Sequence, residues 1–254
     1  MNEKSLAAVD EPDVSGRVGT ETGSADVRRF PQYRFATPED ACELLLVRHG
    51  ESEPAVEGEE FAHVDGHADP PLSALGRQQA DRLADRLAAE RIDAIYVTSL
   101  RRTTETATPL ARILGIDPSV EPELREVYLG EWEGWVFEQK IVDRDPLAAR
   151  MAREQRWDVI PGAESSAAFR DRVLPAIERI ATRHPGQRVL VVAHGGTIGE
   201  ILATASGSQP WAFVGADNAS ISHLVVTQTR WIVRRFNDTT HLDPRLSVRP
   251  APVI

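Results

Sequence analysis

The sequence predicts an α/β fold: a three-layer sandwich built around a mainly parallel central sheet. Three observations lead there. Short, uninterrupted apolar runs alternate with stretches of helical periodicity along the chain, which is how strand–helix–strand folds are written. The two strongest runs, residues 43–47 (ELLLV) and 188–193 (RVLVVA), are apolar throughout rather than every second residue, as in strands covered on both faces. Three run ends carry polar chemistry: Arg48-His49-Gly50, Ser99 to Arg102, and His194-Gly195-Gly196. In open α/β sheets reactive groups gather beyond the carboxyl ends of the strands.

The elements follow in order. Residues 43–47 form the first strand. A helix is expected over 73–91, with Ser73 as N-cap and Ala80, Leu83, Ala84, Leu87 and Ala88 on one face. Residues 92–98 (IDAIYVT) read as a second strand, and 102–114 as a second amphipathic helix that Gly115 stops. The segment 122–163 holds Trp132, Trp135 and Trp157 and one or two short helices. A long helix is expected over 164–183, interrupted and kinked at Pro175. Then come the RVLVVA strand, a helix over 197–205, and strands near 220–227 and 231–236.

Residues 1–38 are rich in Glu, Asp, Ser, Gly and Thr without apolar periodicity and read as a flexible leader. Residues 39–244 read as a single folded domain, and 245–254 as a proline-containing tail. A chain of 254 residues can bury one sizeable core. No apolar run approaches the ~20 residues that cross a bilayer, and the first residues lack the apolar stretch of a secretory signal. Cys42 is the lone cysteine, which excludes an intrachain disulfide and a cysteine-based metal cluster. A cytoplasmic setting is expected. The formal net charge of -10 argues against nucleic acid or an anionic membrane as partner. A local basic pocket can still hold a small phosphate ester on an acidic protein.

The segment Leu46-Val47-Arg48-His49-Gly50-Glu51-Ser52 resembles the signature of the histidine phosphatase superfamily, which includes the phosphoglycerate mutases. Further motifs agree in order: Asp69-Pro70-Pro71-Leu72-Ser73 with Gly76 and Gln79-Ala80; Ser99-Leu100-Arg101-Arg102-Thr103 with Thr106-Ala107; Leu124-Arg125-Glu126 with Gly130 and Trp132-Glu133-Gly134; and Val192-Ala193-His194-Gly195-Gly196. Asn218-Ala219-Ser220 and Asn237-Asp238 resemble late family segments. The resemblance spans about residues 43–242, making the domain a catalytic domain of phosphoglycerate mutase-like fold.

It implies phosphoryl transfer through a phosphohistidine. His49 would be the nucleophile, neutral at the attacking nitrogen because nearby arginines disfavour the imidazolium. Arg48 and Arg102 would grip phosphoryl oxygens with planar, always-charged forks. His194 would bind another oxygen; Ser52 and Gly195 would complete the anion site. Glu126 would be the proton donor to the leaving oxygen. The spacing from Leu100 selects Arg102 over Arg101. No cofactor and no metal are implied, and a homodimer is compatible with the family.

Within that family a phosphatase is expected over a mutase. The connection from the acid motif to His194 is short, the mutase RHYGxLxG pattern is absent, and Glu53-Pro54 stands where mutases carry an asparagine. Two other classes remain: a metal-dependent hydrolase using His49, His194 and Glu126 as ligands, which the two arginines oppose, and a non-catalytic phosphate-binding protein on the same fold. Asn218 is read as stiffening the site. His63 and His67 are read as part of an exposed polar loop with Glu57, Glu59 and Glu60, an acidic loop that would disfavour polyanionic substrates. Glu131 and Glu133 are read as surface residues, the tryptophans mainly as packing, and His184, His223 and His241 as structural or solvated.

Overall fold

The computed structural model describes residues 30–245, so most of the expected leader (1–29) and tail (246–254) lies outside the described residues. The chain divides into Met1–Ala36 and Thr37–Ile254, and every element below belongs to the second unit. Residues 30–38 form neither helix nor strand.

Six strands form one sheet, in the order β5-β4-β6-β1-β7-β8. They are β1 (Cys42–Arg48), β4 (Ala94–Val97), β5 (Ser119–Val120), β6 (Arg188–Ala193), β7 (Ile221–Val226) and β8 (Trp231–Asp238). The pairs β1–β6, β4–β6 and β4–β5 are parallel; β7 runs antiparallel to β1 and β8. A separate hairpin joins β2 (His63–Val64) to β3 (His67–Ala68).

Both faces of the sheet are covered, which is why its central strands read as unbroken apolar runs. Alternate β1 residues enter different cores. Leu44 and Leu46 join Ile177 of α5 (Ser166–Arg183) and Ile198 of α6 (Gly195–Ser206) on one side. Leu45 and Val47 join Leu83 of α1 (Ala74–Leu87) and Leu110 of α2 (Arg101–Leu114) on the other. Each such side chain contributes about 1.5–3 kcal/mol by leaving water. The three layers are therefore α1/α2, sheet and α5/α6, as expected.

Two details differ from expectation. The first helix ends at Leu87 instead of running to residue 91, because Leu87 is its last core residue and Ala88 and Ala89 face solvent. Pro175 does not interrupt α5: Phe169 and Val173 before it, and Ala176, Ile177 and Ile180 after it, are all buried. Packing on both sides of the proline holds the helix together. The segment 122–163 contains the short helices expected there, α3 (Trp135–Val142) and α4 (Pro146–Glu154), between short 3₁₀ turns.

His184 and His223 are structural. The first lies 3.0 Å from the Tyr96 hydroxyl and the second 3.0 Å from Glu43. Among the described residues no helix is long and apolar enough to cross a membrane.

Candidate active site

Sheet register builds the site. Val47 of β1 and Val97 of β4 both align with Val192 of the intervening β6. The residues that follow those three valines therefore emerge side by side: Arg48-His49, Thr98-Ser99 and Ala193-His194. A cavity of about 450 Å³ opens over these ends, and Arg48, His49, Ser52, Arg102 and Glu126 line it.

The loop after β1 is anchored on all sides. His49 N–H donates to the Ala193 carbonyl, and Gly50 N–H to Thr106 Oγ1 on α2 (2.9 Å). Glu51 N–H donates to Gln79 Oε1 on α1 (2.8 Å), while Ser73 caps α1 and its hydroxyl donates to Glu51. Asn218 donates to the His49 carbonyl at 3.0 Å, and Arg48 to the Ala216 carbonyl at 2.7 Å. The motif residues Ser73, Gly76, Gln79 and Thr106 thus serve to hold one loop.

The His49 ring has a defined tautomer. Nδ1 lies 2.7 Å from the Gly50 carbonyl oxygen, which can only accept, so Nδ1 carries the proton and Nε2 keeps its lone pair in the neutral ring. The ring is held well below the usual histidine range, first by burial, then by Arg102 and Arg48. The arginines act as expected, but desolvation is the larger cause. His194 is fully buried and meets His49 edge to face, 5.2 Å between ring centres. Its Nε2 lies 3.1 Å from Thr98 Oγ1, and its Nδ1 has no protein partner. Burial, followed by Arg102, holds it well below the usual range too.

Both shifts have one sign. Unfolding returns each ring toward 6.5, so below that pH the unfolded chain binds more protons than the folded one. The stability these neutral rings allow is full above pH 6.5 and is lost as pH falls toward their depressed folded values. Urea midpoints at pH 7.5, 6.5 and about 5.5 should decline in that order, with a shallower decline in His49→Asn; a flat wild-type profile would refute the burial account.

Arg102 is buried and donates to the Ala68 carbonyl at 2.9 Å. Arg101 instead lies on the surface, paired with Glu105 at 2.8 Å. Glu126 Oε1 accepts from Val127 N–H and Oε2 from Gly196 N–H, both at 2.9 Å. Its carbonyl is held by Arg172 (2.7 Å) and His67 Nε2 (3.0 Å). Gly195 opens α6 and does not line the cavity.

A Cβ on Gly196 would sit 2.5 Å from Glu126 Oε1, so Gly196→Ala must push the carboxylate aside. The helix itself tolerates alanine better than glycine. The expected result is a kcat lowered by ~10²-fold with an unchanged melting temperature. A variant as active as wild type would show that the position of Glu126 is immaterial.

Several expectations require correction. His67 is not on an exposed loop: it is buried, lines the cavity and braces Glu126, whereas His63 is exposed. The β2–β3 hairpin turns it inward, and two-residue strands leave no periodicity to read. Glu133 is no ordinary surface residue. Its oxygens accept from Leu129 N–H (2.8 Å) and Ala68 N–H (3.2 Å), and it lines the cavity. Glu57, Glu59 and Glu60 are exposed and do not line the cavity; Glu53 and Glu138 do. Trp132, read as a packing residue, does belong to the core.

Among the described residues no group of three or more His, Cys, Asp or Glu side chains is arranged to hold a metal ion.

This is the fold and strand-end constellation of a phosphoryl-transfer protein. The chain belongs to the histidine phosphatase superfamily (branch 1), whose family model matches residues 44–239. It is 34% identical over 203 residues to phosphoserine phosphatase 1 of Hydrogenobacter thermophilus, covering 78% of this chain and 93% of that one. It is 33% identical over 208 residues to phosphoglycerate mutase-like protein 4 of Arabidopsis thaliana, covering 80% of this chain and 88% of that one. Among solved structures, a mycobacterial glucosyl-3-phosphoglycerate phosphatase is similar, with a TM-score of 0.66 and 29% identity over 78% of this chain and 100% of that one.

Proposed function

We propose that this protein is a metal-independent phosphatase that hydrolyses a small phosphate monoester through a phosphohistidine on His49. The observation that carries the reading is the His49 ring: Nδ1 tied to the Gly50 carbonyl, Nε2 free, and the buried Arg102 and half-buried Arg48 on the same cavity. A second observation supports it. Arg48 Nε and His194 Nδ1 are buried without a partner among the described residues, and buried polar atoms are rarely left so. A phosphoryl group between them would satisfy both.

The chemistry balances as follows. The Nε2 lone pair of His49 attacks phosphorus as the ester P–O bond breaks, and protonated Glu126 gives its proton to the leaving oxygen. Arg48, Arg102 and His194 hold the equatorial oxygens, with Ser52 beside them. Water then attacks phosphorus, its proton passes to the Glu126 carboxylate, and the P–N bond breaks. Phosphate leaves, and neutral His49 and protonated Glu126 are restored. His67 and Arg172 act as positioning residues by fixing the Glu126 main chain. The names of the similar phosphatases favour hydrolysis of a small ester.

The test is release of phosphate from a panel of monoesters, including phosphoglycerates and phosphoserine, in EDTA. Release in EDTA supports the reading. Release that requires a metal overturns the mechanism, and isomerisation of a phosphoglycerate without release makes the protein a mutase.

A further inference from the structure

We propose that the alcohol end of this cavity rejects a second anion and selects monoesters whose leaving alcohol carries a cationic group on a short, partly apolar stem. This rests on the phosphatase reading and specifies its substrate class. Among the described residues, Arg48 and Arg102 are the only lysine or arginine side chains lining the cavity, and both belong to the phosphoryl end. The rest of the wall carries three further carboxylates, Glu53, Glu133 and Glu138, and the aromatic rings of Phe61 and Phe137. No lining cation remains to receive a carboxylate or a second phosphate.

The cations of neighbouring segments are already engaged. Lys140 of α3 pairs with Asp145 at 2.8 Å, Arg125 with Asp65 at 2.9 Å, and Arg172 with Glu164 at 2.8 Å. The lining carboxylates, by contrast, outnumber the lining cations: Glu53, Glu126, Glu133 and Glu138 against Arg48 and Arg102. Glu133 is fixed in place by two backbone N–H donors and also acts on Arg102, whose charge it partly offsets. Burial, and less strongly the neighbouring Glu133, push the Glu138 carboxyl upward against the pull of a backbone hydrogen bond. A substrate ammonium would supply the missing charge, and Phe61 and Phe137 offer ring faces that suit it. A carboxylated alcohol such as phosphoglycerate would meet like charges at close range.

The experiment compares kcat/KM for phosphoethanolamine and phosphocholine (cationic), p-nitrophenyl phosphate (neutral) and 3-phosphoglycerate (anionic) with the full chain. The cationic esters should exceed the phosphoglycerate on the order of tenfold or more. Glu53→Gln and Glu138→Gln should each narrow that ratio by about threefold or more. Hydrolysis of p-nitrophenyl phosphate with phosphoglycerate equal to or better than the cationic esters, or ratios unmoved in both variants, overturns this inference and leaves the phosphatase reading standing. No hydrolysis of any ester overturns both.

Discussion

Replacing His49 by alanine is expected to lower kcat by ~1,000-fold or more, because the residue supplies the bond-forming lone pair and no neighbour can take its place. His194 is the nearest alternative, but it is fully buried and its Nε2 is engaged near Thr98. The remaining nitrogen ligands, Arg48 and Arg102, stay charged and cannot attack. The fold should survive. The loop is held through main-chain and other side-chain bonds, including Gly50 to Thr106 and Glu51 to Gln79. Phosphate release should therefore vanish while the melting curve stays cooperative. Wild type should also yield an acid-labile phosphoenzyme under rapid quench, absent from the variant. A variant keeping more than about a tenth of the wild-type rate would remove His49 from the nucleophile's role.

The second large effect is on stability. Gly76 lies in the first turn of α1, where a Cβ would come within 2.0 Å of the Glu51 carbonyl oxygen and 2.9 Å of Glu51 N. Both obstacles are backbone, so neither can swing away. The same carbonyl accepts from Ser73 N–H at 2.9 Å, locking loop and helix together. Gly76→Ala must either lift α1 from its core or displace the loop that carries His49. The expected loss is about 3 kcal/mol, a fall in melting temperature of roughly 6–12 °C for a domain of this size. Activity of the folded fraction should fall too, since Gly50 packs against Gly76 from the other side. An alanine variant with wild-type melting and kcat would refute this account of the motif's glycine.

Much of the architecture was legible in the sequence because it depends on local pattern. An apolar strand such as residues 188–193 announces two covered faces, and the periodicity of 102–114 announces a helix. Elements of two residues, β2, β3 and β5, carry no such pattern. Pro175 misled because a local rule for helix interruption yields to packing on both sides of the residue. At the site, Arg102 was separable from Arg101 by the motif's spacing from Leu100, and the structure buries the first and exposes the second. The roles of His67 and Glu133 were not legible, since each acts on partners distant in sequence.

The sequence by itself determined the layers of the sandwich, the three chemistry-bearing strand ends and the family, because apolar runs, helical period and ordered motifs are properties of contiguous residues. Only the tertiary structure decided which side chains share the cavity: that His67, Glu53, Glu133 and Glu138 lie on its wall while Glu57, Glu59 and Glu60 do not, and that burial outweighs the arginines at His49. These depend on strand register, on a short hairpin turning inward and on the water excluded when distant segments close over one point, none of which a linear pattern records.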